Sequence, residues 1–351
     1  MSDIRVLIVD DSPTVCSIIK QGLSRAAGIE VIGTAPNPFV ARDMIVNDPP
    51  DVVTLDIEMP RMDGLTFLRK LMKHFPLPVL VVSSLTADGS QKAMEALACG
   101  AVGVIEKDLS DKKRNEFMLD LVRGVRSAAQ AKVKRASFSK NRTASNQTSN
   151  TLPAISAPGD MVLAIGSSTG GTEALARILE KMPANSPATV IVQHIPAGFT
   201  AQLANRLDGL SAMTVREAVN GEFLQQGTAL FAPGDQHFLL VRMGKRLKVE
   251  LRSGPRVSGH KPSVDILFRS VAKAAGSNAI GVILTGMGKD GAQSLLEMRN
   301  QGAFTIAQDE ESCVVYGMPR EAAEIGAVEK IVPLAKIPRL VCDVASAGVR
   351  A

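Results

Sequence analysis

Cysteine is scarce and scattered in this sequence. Cys16, Cys99, Cys313 and Cys342 form no C-x-x-C pair and no metal-ligand spacing, which points to buried free thiols and away from a metal site or a cysteine nucleophile. Histidine is equally rare, with His74, His194, His237 and His260 the full set, so a zinc cluster is not expected. Long apolar runs are missing as well: none approaches the ~18–20 residues that a membrane span needs. The opening MSDIRVLIVDD places acids where a signal peptide carries its basic segment. The expectation is a cytoplasmic chain with no direct membrane insertion.

Acidic residues are absent between Ser127 and Gly159, where Lys132, Lys134, Arg135, Lys140 and Arg142 contribute five positive charges. The whole chain carries a formal net charge of +5, so everything outside this stretch is formally neutral. A solvated basic linker explains the charge better than a nucleic-acid-binding arm, and no nucleic-acid partner is expected. The stretch is rich in Ser, Thr, Asn and Ala and has little to bury, so residues 127–158 read as a flexible connector. It separates a domain over 1–126 from another over 159–351, both of ordinary size for a 351-residue chain.

In the first domain RVLIVD, EVIGTA, DVVTLD, PVLVVSS and AVGVIEK read as strands, with segments of three-and-four apolar spacing between them. Such alternation predicts an α/β fold: a parallel sheet with helices on both faces. In the second domain MVLAIG, ATVIVQH, TALFAP and NAIGVILTGMG are strand-like, and HFLLVRMGKRLKVEL predicts an antiparallel hairpin turning near Met243-Gly244. PREAAEIGAVEKIVPL reads as sheet-edge and loop material.

Asp10 and Asp11 end the first strand, Asp56 the third, Ser83 the fourth and Lys107 the fifth. In a doubly wound sheet these ends converge on one crevice. Three carboxylates there call for a cation, and oxygen-only ligands suit Mg²⁺. Asp56 could then accept a phosphoryl group, with Ser83 and Lys107 touching its oxygens. The VLIVDDSPT and TLDIEMPRMDG segments resemble the receiver domain of bacterial response regulators. The resemblance implies a flavodoxin-like (βα)5 fold and phosphorylation of Asp56 by a histidine kinase. It also implies Mg²⁺ on Asp11, Asp56 and, through water, Asp10, and a hydroxyl switch at Ser83, with Ser84 second to it. Asp108 stands where receivers usually carry Pro after the Lys, so that loop is expected to be rebuilt.

AIGSSTGGTEA, residues 164–174, fits G-x-S-x-G between a strand and a helix, a turn that exposes the Ser168 hydroxyl. A phosphate-holding loop is the weaker reading of this stretch, because Ser168 stands where G-x-G-x-x-G needs its second Gly and no G-K-[ST] follows. His194 directly follows ATVIVQ and is the favoured base; His237 and His260 read as surface or core histidines. Asp290, within GMGKDGA, is the favoured orienting carboxylate, with helix capping as its competing role. Asp265 lies in the first turn of a helix, where acids are common, and Asp235 in a turn. The order Ser168, His194, Asp290 is one of several that triads use.

IGSSTGGTEAL, QHIPAGFT, APGDQHFLL, HKPSVDILF and ILTGMGKDGA resemble, in order, the effector domain of chemotaxis protein-glutamate methylesterases. That resemblance implies a Rossmann-type parallel α/β sandwich, Ser168 as nucleophile, His194 as general base and Asp290 as its orienting residue. It further implies an oxyanion donor at the Met287 backbone N–H and Thr169 lining the site. The implied activity is hydrolysis of glutamate γ-methyl esters on methyl-accepting chemotaxis receptors, with deamidation of receptor glutamines and no cofactor for hydrolysis. The implied partners are those receptors and a chemotaxis histidine kinase; a monomer is expected. One regulatory domain linked to a catalytic one suggests that the unphosphorylated receiver covers the Ser168 mouth. The competing class is a two-component regulator with a non-catalytic nucleotide- or DNA-binding output domain.

Overall fold

The computed structural model describes residues 2–59, 63–110, 113–133, 151–155 and 161–348. Two compact units divide the chain, Met1–Thr143 and Ala144–Ala351.

The first unit runs β1 (Ile4–Val9), α1 (Pro13–Ser24), β2 (Ile29–Ala35), α2 (Pro38–Asn47), β3 (Val52–Leu55) and α3 (Gly64–His74). It continues with β4 (Val79–Ser83), α4 (Ala87–Ala98), β5 (Gly103–Glu106) and α5 (Arg114–Ala128). All neighbouring strands pair in parallel, in the order β2-β1-β3-β4-β5. Val6, Leu7, Ile8, Val52, Val53 and Val79 are fully buried, as strands covered on both faces require. Each such side chain contributes roughly 1.5–3 kcal/mol of burial. Helix starts follow from local chemistry: the Asn37 side chain accepts from Phe39 N and Val40 N at 3.0 and 3.1 Å, and Thr86 from Gly89 N at 2.9 Å. Helix α1 packs beside α5, and α3 beside α4.

The second unit runs β6 (Val162–Ser167), α6 (Gly171–Leu179), β7 (Ala188–Gln193), α7 (Ala197–Asp208), β8 (Thr214–Glu217) and β9 (Thr228–Phe231). The hairpin follows as β10 (His237–Met243) and β11 (Arg246–Arg252), then α8 (Val264–Ala275), β12 (Ala279–Ile283) and α9 (Ala292–Asn300). The last elements are β13 (Phe304–Gln308), α10 (Met318–Glu324), β14 (Lys330–Val332) and α11 (Ile337–Ala347). Seven parallel strands lie in the order β14-β13-β12-β6-β7-β9-β8, so this is the expected parallel α/β sheet. The chain enters at the central strand β6, builds outward through β7 on one side, then returns to build through β12 on the other. The carboxyl end of β6 is therefore the switch point, where doubly wound sheets open a crevice.

The hairpin stands apart from this sheet and lies on α8 through Phe238, Leu240 and Val249. Leu240 N donates to Ser270 Oγ at 2.9 Å. Strands β8 and β13 escape sequence reading, whereas β14 is the edge strand within PREAAEIGAVEKIVPL, expected as sheet-edge material. Strand β8 has only four residues, too short for a period to show. In β13 buried Thr305 and Gln308 interrupt the apolar run. One reading is corrected: residues 318–324, expected as edge and loop, form α10, with Pro319 in the first turn, where its missing N–H costs nothing.

Of the 127–158 stretch, residues 134–150 and 156–158 lie outside the described residues. Its start completes α5, and Leu152 N donates to Lys181 O at 2.9 Å while Ile155 exchanges two hydrogen bonds with the Asn185 side chain. Among the four free cysteines, Cys16, Cys313 and Cys342 are buried and Cys99 is half-buried.

Candidate active site

Strand β6 delivers Ser168 into a turn that is fixed from several sides. Ser168 N donates to Thr285 O at 3.0 Å, and Gly171 N donates back to Ser168 O at 2.7 Å. Gly170 has φ +77°, and a Cβ there would lie 2.5 Å from Val314 Cβ. A Cβ on Gly286 would lie 2.7 Å from Ser168 Cβ, so the two turns approach at backbone distance and glycine is required in both. Buried Gln193 joins Ser168 to the next strand end: its Nε2 donates to Ser168 O at 2.9 Å and to His194 O at 3.0 Å. Its Oε1 accepts from Ser167 Oγ at 2.7 Å.

His194 follows β7, with its backbone N donating to Ser167 O at 3.0 Å. Its side chain is 6% exposed, and Nε2 lies 2.8 Å from Asp290 Oδ2. Asp290 follows β12 and is buried. Its Oδ1 also accepts from Ser263 Oγ at 2.8 Å and Asp265 N at 3.1 Å, and its Oδ2 from Val264 N at 2.8 Å. Burial alone would raise the Asp290 carboxyl, but the His194, Ser263 and Val264 hydrogen bonds prevail and hold it well below the usual carboxylate range. Asp290 thus does cap a helix, but that helix is α8 rather than its own α9. An ionised carboxylate only accepts, so His194 carries its proton on Nε2 and leaves Nδ1 as a lone-pair acceptor. Nδ1 is buried and makes no hydrogen bond here, to Ser168 Oγ or to any other described group.

The turn after β12 completes the crevice. Thr285 Oγ1 donates to Thr169 O at 2.9 Å and accepts from Val314 N and Val315 N at 3.1 and 2.9 Å. Gly286 N donates to Val315 O at 3.0 Å. Met287 is half-buried between Gly286 and Gly288, the latter at φ +86°. The ends of β6, β7 and β12 therefore bring Ser168, Thr169, His194, Met287 and Asp290 into one neighbourhood. His260, read as a surface or core residue, stacks on His194 with ring centroids 3.7 Å apart and 3° between planes. His237 is buried at the start of β10 and bonds Pro255 O at 2.9 Å, outside this group. Asp265 is buried against Ser294, whose Oγ donates at 2.6 Å; burial, opposed by that bond and joined by neighbouring Asp290, moves its carboxyl upward.

In the first unit one oxygen from each of Asp10, Asp11 and Asp56 falls within 4.8 Å of the others, with Asp11 the exposed member. Lys107 Nζ lies 2.8 Å from Asp10 Oδ2 and 2.5 Å from Asp56 Oδ2. Burial raises the Asp10 carboxyl despite Lys107 and the Ser12 N–H, and the charge of Asp56 adds to the rise. Burial lowers the Lys107 ammonium, yet its two carboxylate partners more than compensate and hold it above the usual value. Ser83 is fully buried and donates to Gly89 O at 3.2 Å, while Ser84 Oγ donates to Glu58 Oε2 at 2.6 Å. The Lys107–Asp108 peptide is trans, and Asp108 Oδ1 accepts from Ser110 N at 3.0 Å. Those Ser110 hydrogen bonds, aided by Lys113, hold the Asp108 carboxyl below its usual range. The aspartate thus builds its own turn where a proline would impose one.

The family model described as CheB methylesterase matches residues 163–341, and that described as response regulator receiver domain matches residues 6–116. The chain belongs to the CheB methylesterase family. The protein-glutamate methylesterase/protein-glutamine glutaminase 2 of Syntrophus aciditrophicus (strain SB) is 52% identical over 337 residues, 96% of this chain and 98% of that protein. Number 4 of the same description from Anaeromyxobacter dehalogenans (strain 2CP-C) is 54% identical over 95% of this chain and 93% of its own length. A crystal structure of the Thermotoga maritima CheB methylesterase catalytic domain aligns with 53% of this chain and 98% of its own. That alignment has 39% identity and a TM-score of 0.52. For a member of the CheB family, sequence reasoning selected one residue after each of the three central strands. Gln193, His260, Ser263 and Thr285, which tie those residues together, escaped it. Gln193 closes a strand and Ser263 precedes a helix, so both resemble ordinary boundary residues until their partners are known.

Proposed function

We propose that this chain is a phosphorylation-controlled protein-glutamate methylesterase that hydrolyses glutamate γ-methyl esters on methyl-accepting chemotaxis receptors and deamidates receptor glutamines. One observation carries the assignment. His194 is held through Nε2 by an ionised, buried Asp290, which leaves a buried, unpartnered Nδ1 in the crevice that contains the Ser168 turn.

Ser168 Oγ attacks the ester carbonyl as His194 Nδ1 takes its proton. Hydrogen bonds of this kind tighten when substrate occupies the site. The Met287 backbone N–H donates to the developing oxyanion, a contact worth about 2.7–4 kcal/mol in the transition state, and Thr169 lines the site. Asp290 holds the imidazole tautomer and faces the charge that forms on it. His194 returns the proton to methanol, or to ammonia for a glutamine, and water repeats the sequence on the acyl-enzyme.

In the first unit Asp56 is the phospho-acceptor for a histidine kinase, and its phosphorylation relieves inhibition of the esterase. The oxygen-only donor set of Asp10, Asp11 and Asp56 fits a hard divalent cation. Asp11 and Asp56 would hold Mg²⁺ directly and Asp10 through water; when bound, the ion supplies charge neutralisation for phosphoryl oxygens. Lys107 and the switch hydroxyl of Ser83 bind those oxygens.

The test is methanol release from methylated chemoreceptor membranes, with and without a small-molecule phosphodonor. Ser168→Ala is expected to lower kcat by at least about 10⁴-fold. Retained hydrolysis in that variant would remove the assignment. A phosphodonor that leaves turnover unchanged would remove the regulatory half alone.

A further inference from the structure

His194 is tied down at Nε2, yet that bond does not fix where its reactive nitrogen points. In an imidazole the Cβ–Cγ axis passes between Cε1 and Nε2, so Nε2 lies nearer to it than Nδ1 does. A small rotation about this axis therefore bends the Asp290 bond without breaking it, while it displaces and re-aims Nδ1 by more. The torsion is intrinsically soft, as terminal sp³–sp² torsions are. Among the described residues Nδ1 has no hydrogen-bond partner to resist that rotation. What lies against the ring is the half-buried His260, at 3.7 Å between centroids and 3° between planes.

The segment carrying His260 is itself restrained. Val257 and His260 exchange backbone hydrogen bonds at 2.9 Å in each direction, and Ser258, at φ +52°, donates to Asp265 Oδ2 at 3.1 Å. Three residues later Ser263 and the first N–H groups of α8 hold Asp290. One continuous stretch thus grips the edge of the His194 system through Asp290 and its face through His260.

We propose that His260 is a positioning residue, whose stacked ring sets the plane of His194 and so aims Nδ1 at the Ser168 hydroxyl. A flat aromatic face also tolerates the imidazolium that forms when Nδ1 takes the proton. The inference rests on His194 being the general base.

The experiment compares His260→Phe and His260→Leu in the full-length, phosphorylated chain by methanol release from methylated chemoreceptor. Phenylalanine keeps a flat ring; leucine fills space without defining a plane. Leucine is expected to lower kcat roughly 10–100-fold with KM within about twofold, and phenylalanine to stay within about threefold of wild type. Circular dichroism and thermal melting verify the folded fraction, and His260→Met replaces leucine as the non-planar comparison should leucine unfold the chain. Equal activity of the planar and non-planar variants, at either a high or a low level, would overturn the proposal. His194→Gln separates the two readings. If it abolishes turnover while the non-planar variants do not, the base stands and the stack falls; if turnover survives in it, both fall.

Discussion

Asp10 in the first unit and Asp290 in the second are both buried beyond the carboxyl end of a parallel strand, Asp10 directly after β1 and Asp290 late in the turn that follows β12. Their carboxyls move in opposite directions, Asp10 upward and Asp290 downward. Burial pushes both up, so the partners make the difference. Asp10 has one ammonium, shared with Asp56, and one backbone N–H, and it faces a second carboxylate. Asp290 has an imidazole, a hydroxyl and two N–H groups at the start of α8. The protein satisfies one carboxylate with its own donors and leaves the other short of positive charge. A fully satisfied acid holds an imidazole in place, while an undersatisfied cluster of carboxylates offers a donor set that fits a cation.

The contrast breaks most visibly in turnover. Asp290→Asn is expected to lower kcat for methanol release by about 10³–10⁴-fold, because the amide no longer enforces the tautomer that leaves Nδ1 free. Asp10→Asn should leave basal release unchanged and abolish its stimulation by a phosphodonor, a loss that Asp56→Asn should share. Stability sharpens the contrast next. Removing a buried charge that is fully paired costs on the order of 3 kcal/mol, whereas neutralising an underpaired one can gain about 1 kcal/mol. Calorimetry should therefore find the second unit less stable in Asp290→Asn and the first unit more stable in Asp10→Asn.

Titration supplies the smaller effects. The folded Asp290 carboxyl lies below its unfolded value of about 3.9, so its contribution is complete above that pH and fades as pH falls through the folded value. The folded Asp10 carboxyl lies above its unfolded value; stability from it is complete below about pH 3.9 and fades as pH rises through the folded value. Acidification from neutral pH in metal-free buffer should thus gain stability through Asp10 before it loses any through Asp290. Unfolding midpoints measured across that range for wild type and Asp10→Asn test the sign. Ser263→Ala, which removes one of four donors from Asp290, should cost about 1–2 kcal/mol in the second unit.

Much of the site could be read from local pattern. Ser168, His194, Asp10 and Asp56 each directly follow a mostly apolar strand, and Asp290 lies in the glycine-rich turn after another. A polar residue directly after a buried strand advertises itself. His260 and Ser263 have no such context: they lie in a Gly/Pro-flanked loop, and their partners come from β7 and the β12 turn. Local pattern also failed for β8, whose four residues carry no measurable period, and for Met318–Glu324, whose proline at the helix start resembles a breaker.

The sequence alone determined that there are two α/β domains, where the central strands stop, and that a serine, a histidine and several aspartates stand at those stops. These are local properties, set by side-chain period and by glycine-dependent turns. The order β12-β6-β7 was decided by the tertiary structure, and with it the meeting of three strand ends. So were the stacking of His260 on His194 and the opposite shifts of Asp10 and Asp290. Those depend on which surfaces pack and which donors come with them, and such partners lie far apart along the chain.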